Sequence, residues 1–96
     1  MPTYITLVRW TREGITDVKK SPERLKKVKA LAKANGGSVK KVYLTMGRCD
    51  LVVISEYPDD EAAAKTVLTI GSAGSVTTET MRAFEEGEYR KIIAEL

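Results

Sequence analysis

The apolar run Leu51-Val52-Val53-Ile54 limits the possible folds of this chain more than any other segment. A short, uninterrupted apolar run next to turn residues is typical of a strand that is buried on both faces. The chain has 96 residues, which is the size of one domain, so this strand has to lie inside a single small sheet. Both faces of that sheet must then be packed against other elements, and a domain of this size has few residues left to form those elements.

Segments rich in β-branched, aromatic or alternating apolar residues predict three further strands. These strands are Tyr4–Trp10, Val39–Met46 and Val76–Phe84. Gly47-Arg48 suits a two-residue type II′ turn between the second strand and the strand that begins at Leu51. The segment from Thr11 to Lys20 is predicted to be a polar connector.

Three amphipathic segments predict helices. The first begins at Ser21-Pro22-Glu23, with Ser21 as the N-cap residue, and stops at Asn35-Gly36-Gly37. The second begins at Pro58-Asp59-Asp60-Glu61 with an aspartate cap, and Thr66 is expected outside its packing arc. That arc is predicted to hold Ala63, Ala64, Val67, Ile70 and Gly71. A short C-terminal helix is indicated by the apolar spacing of Tyr89, Ile92, Ile93 and Leu96.

The resulting order, β-α-β-β-α-β plus a tail helix, is the ferredoxin-like motif of the α+β class, and it spans residues 1–96 as a single domain. Right-handed crossovers place the first and third strands in the centre of an antiparallel sheet, with two helices on one face. The central strands nevertheless carry apolar side chains on both faces. A second copy of the chain is the economical cover for the other face, and the tail helix is the lesser candidate. We therefore expect a homodimer or a higher assembly of dimers.

Composition excludes several classes of site. The chain has no histidine and one cysteine, so it cannot form a Ser-His or Cys-His pair, an internal disulfide or a multi-cysteine zinc site. We expect no structural metal and no cofactor. The aromatic residues are dispersed and no nucleic-acid recognition motif is present, so we expect no nucleic-acid partner. No apolar stretch is long enough to span a membrane, and the N-terminus lacks a signal-peptide pattern, which favours a cytoplasmic location.

Charge is distributed unevenly along the chain. Residues 1–48 carry 12 basic and 3 acidic side chains, whereas residues 49–96 carry 4 basic and 10 acidic ones. Such asymmetry fits either a basic face for anionic ligands or two halves that attract each other in the fold.

Several separate blocks of the chain together resemble the GYD domain family. These blocks are Tyr4–Thr11, Ser21-Pro22-Glu23-Arg24, Tyr43–Gly47, Asp50–Ile54 and Thr78–Phe84. The resemblance implies a dimeric α/β barrel, in which two ferredoxin-like sheets pack face to face, and it implies no assigned biochemical function. The Gly-x-Tyr-Asp motif of the family stands here as Gly47-Arg48-Cys49-Asp50, so a role that rests on a phenol cannot be assumed for this chain.

Strand directions bring three segments to one end of the sheet: Trp10-Thr11, the 47–50 hairpin and the 71–74 loop. We predict that a small-molecule site, if there is one, lies at this end and opens toward the space between subunits. Its expected residues are Trp10, Arg48, Cys49, Asp50 and Ser72. Three of them also have a structural interpretation, because tryptophan commonly packs, aspartate bonds to turn backbone, and a buried cysteine behaves as a small hydrophobe.

Two functional hypotheses remain at this point. The first is an oligomeric, non-catalytic module that binds a small molecule or has a regulatory role, favoured because no convergent catalytic set is visible. The second is a small cofactor-independent enzyme, monooxygenase-like or isomerase-like, that uses a cavity of the dimer. Without histidine, such an enzyme would need Asp50, Cys49 or a tyrosine such as Tyr4 or Tyr43 as its acid or base.

Overall fold

The computed structural model describes residues 1–96 and contains four strands and four helices. In chain order they are β1 (Thr3–Trp10), α1 (Arg12–Thr16), α2 (Ser21–Ala34), β2 (Ser38–Leu44), β3 (Leu51–Glu56), α3 (Asp60–Ser72), β4 (Val76–Ala83) and α4 (Glu86–Ala94). A 3₁₀ turn, Val18–Lys20, joins α1 to α2. No helix combines the length and the apolar character that crossing a membrane requires.

The four strands form one antiparallel sheet in the order β2-β3-β1-β4. The predicted central position of the first and third strands is therefore confirmed, as is the ferredoxin-like α+β fold. The reason is that each crossover through α2 or α3 skips one strand position, which leaves β2 and β4 at the edges. In the centre of the sheet, Thr6 of β1 lies opposite Val53 of β3 and Thr80 of β4.

Alternation along β1 and β3 divides the sheet into two different faces. The covered face, which packs against α2 and α3, carries Tyr4, Thr6, Val8, Trp10, Leu51, Val53 and Ser55. The open face carries Ile5, Leu7, Val52 and Ile54, together with Met81 of β4 and Tyr43 of β2. No residue of the open face is fully buried, although its centre is apolar.

A tightly packed cluster joins the helices to one end of the covered face. It contains Tyr4, Ala32, Tyr57 and Ala63, all nearly inaccessible to solvent. The two tyrosine rings meet edge to face with centroids 5.7 Å apart. The alanines of α2 and α3 have small side chains, which lets both helices approach the sheet closely at this end.

The second predicted helix starts as expected but packs with a different set of residues. Asp59 is its N-cap, because its carboxylate accepts a hydrogen bond from the Ala62 N–H. Thr66, expected outside the packing arc, is fully buried, whereas Ala64 and Gly71 are exposed. The Thr66 hydroxyl donates to the Ala62 carbonyl oxygen and accepts from the Asn35 side-chain amide, so a polar group is tolerated between the helices.

Three local predictions were wrong. Ser21 is not an N-cap, because its own backbone is helical and the preceding 3₁₀ turn runs directly into α2. The predicted polar connector contains α1, where a side chain in place of Gly14 would collide with the Ser75 carbonyl oxygen. The loop between β2 and β3 spans residues 45–50 rather than two, and the φ of Gly47 is positive, at 149°, but far from the roughly +60° of the predicted type II′ turn.

The tail helix α4 forms as predicted but does not cover the open face. It begins with a capping box between Glu85 and Glu88. Its apolar side chains remain in solvent: Tyr89 is 56% exposed and Ile93 50% exposed. Within one chain, the open face therefore has no cover.

Two adjacent valines of β3 should respond in opposite ways to the same substitution. Val53 is 8% exposed and faces the helices, so Val53→Asp buries an unpaired charge and should destabilise the fold by about 3–5 kcal/mol. Val52 faces the open side, so Val52→Asp should leave each chain folded. Urea denaturation followed by circular dichroism checks this, and equal losses of secondary structure in both variants would contradict the assignment of faces.

Candidate functional site

Hydrogen bonds bring together the three segments that strand direction predicted at one end of the sheet. The Thr11 N–H donates to the Ser75 carbonyl oxygen at 3.0 Å, and the Thr11 hydroxyl donates to the Gly74 carbonyl oxygen at 2.6 Å. On the other side of β1, the Trp10 N–H donates to the Asp50 carboxylate at 2.9 Å. The end of β1 is therefore tied to both loops, and we call this the Trp10 end of the sheet.

The polar groups of Asp50 form hydrogen bonds with the backbone of β1. Its carboxylate accepts from Trp10, and its own N–H donates to the Val8 carbonyl oxygen at 2.8 Å. These bonds continue the β1–β3 pairing past Leu51, the first residue of β3, toward the end of β1. They give Asp50 a structural role that the turn-residue interpretation anticipated, and the side chain does not line the cavity described below.

The remaining predicted residues take part in hydrogen bonds within the protein. The Arg48 carbonyl oxygen accepts from the Arg9 side chain, and the Cys49 carbonyl oxygen accepts from the Thr45 hydroxyl at 2.7 Å. The half-buried thiol of Cys49 lies 3.5 Å from the same hydroxyl. Ser72, at the end of α3, donates to the Thr69 carbonyl oxygen and is exposed. A ligand-binding role for these residues stays a prediction.

A cavity of about 420 Å³ lies between the covered face and helices α2 and α3. Of the five predicted residues, only Trp10 lines it. Its walls are mainly apolar and include Val8, Leu51, Leu25, Val28 and Ile70. The cavity opens on the helix side of the sheet, whereas the predicted site was expected to face the second subunit.

Side-chain size explains where the cavity forms. At Tyr57, whose side chain lines one end of the cavity, the layers meet through the alanines of α2 and α3 and pack tightly. Toward the Trp10 end the helices contribute Leu25, Val28 and Ile70, all only partly buried, and the sheet contributes Trp10. Larger side chains hold the layers apart there, and the resulting volume is in the range of small-molecule sites.

Two cations, Arg24 and Lys27 of α2, are the only charged residues that line the cavity. The Arg24 guanidinium donates to the carbonyl oxygens of Gly14 at 3.1 Å and Asp17 at 3.2 Å. Lys27 is exposed and lies one helical turn further along α2. The sequence did not single out either residue as part of a site, because both lie in a lysine- and arginine-rich helix and add only to the general excess of basic residues in the first half of the chain.

The chemistry of the cavity lining offers no nucleophile paired with a base. Its titratable groups are Tyr57, Arg24 and Lys27. Nowhere in the structure do three or more cysteine, aspartate or glutamate side chains cluster so that they could hold a metal ion. The arrangement can enclose a small ligand and attract an anion.

A second cluster of titratable residues lies at the opposite end of the sheet. The buried Tyr4 hydroxyl donates to the Asp60 carboxylate, and the Arg82 guanidinium lies 5.9 Å from the Tyr4 ring centroid. Burial, followed by the hydrogen bond to Asp60, raises the pKa of Tyr4 to about 12. A phenol with a raised pKa stays protonated at neutral pH, which makes Tyr4 unsuitable as the general base of an enzyme.

The raised pKa of Tyr4 predicts a loss of stability at alkaline pH. The ordinary pKa is 10.0 and the folded value about 12, so the folded chain holds a proton that the unfolded chain releases between these values. The stabilisation is present in full below pH 10 and disappears as pH rises toward 12. Urea denaturation from pH 8 to 11.5 should show a steeper decline for the wild type than for Tyr4→Phe, and parallel declines would contradict the assignment.

Comparison with known proteins gives a consistent set of matches. The model of the GYD domain matches residues 4–93. A protein from Thermus thermophilus named "Glutamine synthetase and cystathionine beta-lyase binding protein" is 37% identical over 84 residues, which cover 86% of this chain and 88% of that protein.

Solved structures share the fold. A hypothetical protein from Pyrococcus horikoshii superposes with a TM-score of 0.62 at 24% identity, covering 90% of this chain and 93% of that one. A feast or famine regulatory protein from M. tuberculosis, solved with L-methionine, superposes with a TM-score of 0.67 at 13% identity. The match covers 88% of this chain and 51% of the regulator.

Proposed function

The chain belongs to the GYD domain family, and we propose that it is a non-catalytic regulatory module that self-assembles through its open face and binds metabolic enzymes. The observation that carries the proposal of self-assembly is the uncovered apolar face of the sheet. The proposal of enzyme binding is supported by the name of the Thermus thermophilus relative, which describes binding to glutamine synthetase and cystathionine β-lyase.

The open face suits contact with a second copy of itself. Its centre is apolar, with Ile5, Leu7, Val52 and Ile54 in adjacent central strands. Its margin carries both signs of charge, namely Arg9 and Lys41 against Glu79 and Glu56. A two-fold interface pairs one surface with itself, so an apolar centre with both charges at its margin is self-complementary.

The surface area of one chain supports the same conclusion. The chain exposes 6781 Å², whereas a compact monomer of 10.6 kDa is expected to expose about 5,500 Å². Its radius of gyration is 14.2 Å, against about 12.5 Å for a compact domain of this length. The excess surface is larger than the roughly 800 Å² per partner that a stable interface buries. Exposed apolar residues of α4 add to the area available for a second copy.

Self-assembly should depend on Val52. Light scattering after gel filtration is expected to give at least twice 10.6 kDa for the wild type and a single chain for Val52→Asp, because a charge at the centre of an apolar interface is costly. Leu68→Asp is the matched control, since Leu68 is 72% exposed on α3. A wild-type monomer at high micromolar concentration would remove the proposal of self-assembly.

Enzyme binding is tested separately with purified glutamine synthetase and cystathionine β-lyase from the same organism as this chain. We expect biolayer interferometry to detect direct binding of at least one enzyme to the wild-type chain. Loss of that signal in Val52→Asp would show that the assembled form is the binding form. If neither enzyme binds while light scattering still shows an oligomer, the regulatory part of the proposal is wrong and the assembly part stands.

A further inference from the structure

The cavity between sheet and helices combines an apolar interior with charge of one sign. Its only charged residues are Arg24 and Lys27, although the chain contains 13 aspartates and glutamates. Neither cation takes part in a salt bridge within the chain. Two positive groups therefore border an apolar volume with no carboxylate to balance them.

Arg24 is held in place by two hydrogen bonds and keeps further N–H groups free to donate. Two of its five N–H groups donate to the carbonyl oxygens of Gly14 and Asp17, which fixes the half-buried guanidinium close to the Trp10 end. The hydroxyl residues Ser21 and Ser75 line the cavity as well. Charged donors beside a low-dielectric volume interact strongly with an anion, and a carboxylate matches the planar guanidinium.

We propose that this cavity binds a small amphipathic carboxylate, with the carboxylate against Arg24 and Lys27 and an aliphatic or aromatic body against Val8, Leu51 and Trp10. The site is independent of the open face, because it lies on the opposite side of the sheet. It therefore adds a small-molecule ligand to the proposed function and does not rest on self-assembly.

Trp10 provides the readout for a binding experiment, because it is the only tryptophan of the chain and lines the cavity. Octanoate, 1-octanol and octylamine are titrated while Trp10 emission is recorded. These probes share a chain length and carry a negative, a neutral and a positive head group. We expect a saturable change with octanoate, weaker binding of octanol and no binding of octylamine.

Two lysine variants test the contribution of the cavity charge. Lys27→Gln should weaken octanoate binding about three- to fivefold, the range of a partly exposed charge pair, and leave octanol unchanged. Lys26→Gln is the matched control, because Lys26 is exposed on the same helix and does not line the cavity. Equal losses in both variants would indicate general attraction to a basic helix and would overturn the proposal.

A cavity-filling variant and the monomeric variant complete the test. Val28→Phe should weaken octanoate and octanol alike, with thermal unfolding recorded to show that the variant is folded. Val52→Asp should bind octanoate as the wild type does, so a failure of self-assembly and a failure of this site are distinguishable. Binding of octylamine as tight as that of octanoate, or no saturable change with octanoate, would show that the site does not take a carboxylate.

Discussion

The pairing of β1 with β3 is the constraint on which the rest of this structure depends. Both strands are central, so side chains project from them into two separate environments, and apolar residues occupy both sides. Because successive side chains of a strand point to opposite faces, Val52 and Val53 lie on different faces although they are neighbours in sequence. The register of the pairing fixes which face each of them joins. The two helices of the motif can cover one of these faces. The other face stays partly exposed within one chain, which is the physical basis of the proposed assembly.

On the covered side, the packing of α2 and α3 divides the interior into two regions. Alanines bring the helices onto Tyr4 and Tyr57 at one end, and larger residues hold them away from the sheet at the Trp10 end. A closely packed cluster around Tyr57 and an apolar cavity toward the Trp10 end thus lie in the same layer. Arg24 and Lys27 of α2 border the cavity, so the same helix that packs against the core also gives the cavity its positive charge.

The loop between β2 and β3 has a structural explanation for most of its polar groups. Asp50 caps the end of β1, and Thr45 bonds to Cys49 across the base of the loop. In this chain the family's motif tyrosine is a cysteine whose half-buried thiol lies beside the Thr45 hydroxyl. These hydrogen bonds connect the strands at the Trp10 end, and of the predicted site residues Arg48, Cys49 and Asp50 do not line the cavity between the sheet and the helices.

Local patterns in the sequence determined the order of the four strands and the three longer helices, the central strands and an aspartate cap on α3, because strand periodicity, apolar runs and caps depend on neighbouring residues; they missed the short helix α1. They also predicted that the ends of β1, the β2–β3 loop and the loop after α3 meet, because strand direction follows from connectivity alone. Only the tertiary structure decided that Thr66 is buried, that Arg24 and Lys27 border a cavity, and that Trp10 faces the helices rather than a second subunit. These facts depend on the rotation of each helix about its axis and on the separation of the two layers. Both are set by packing between residues distant in sequence, such as Asn35 with Thr66, and no local pattern encodes that packing.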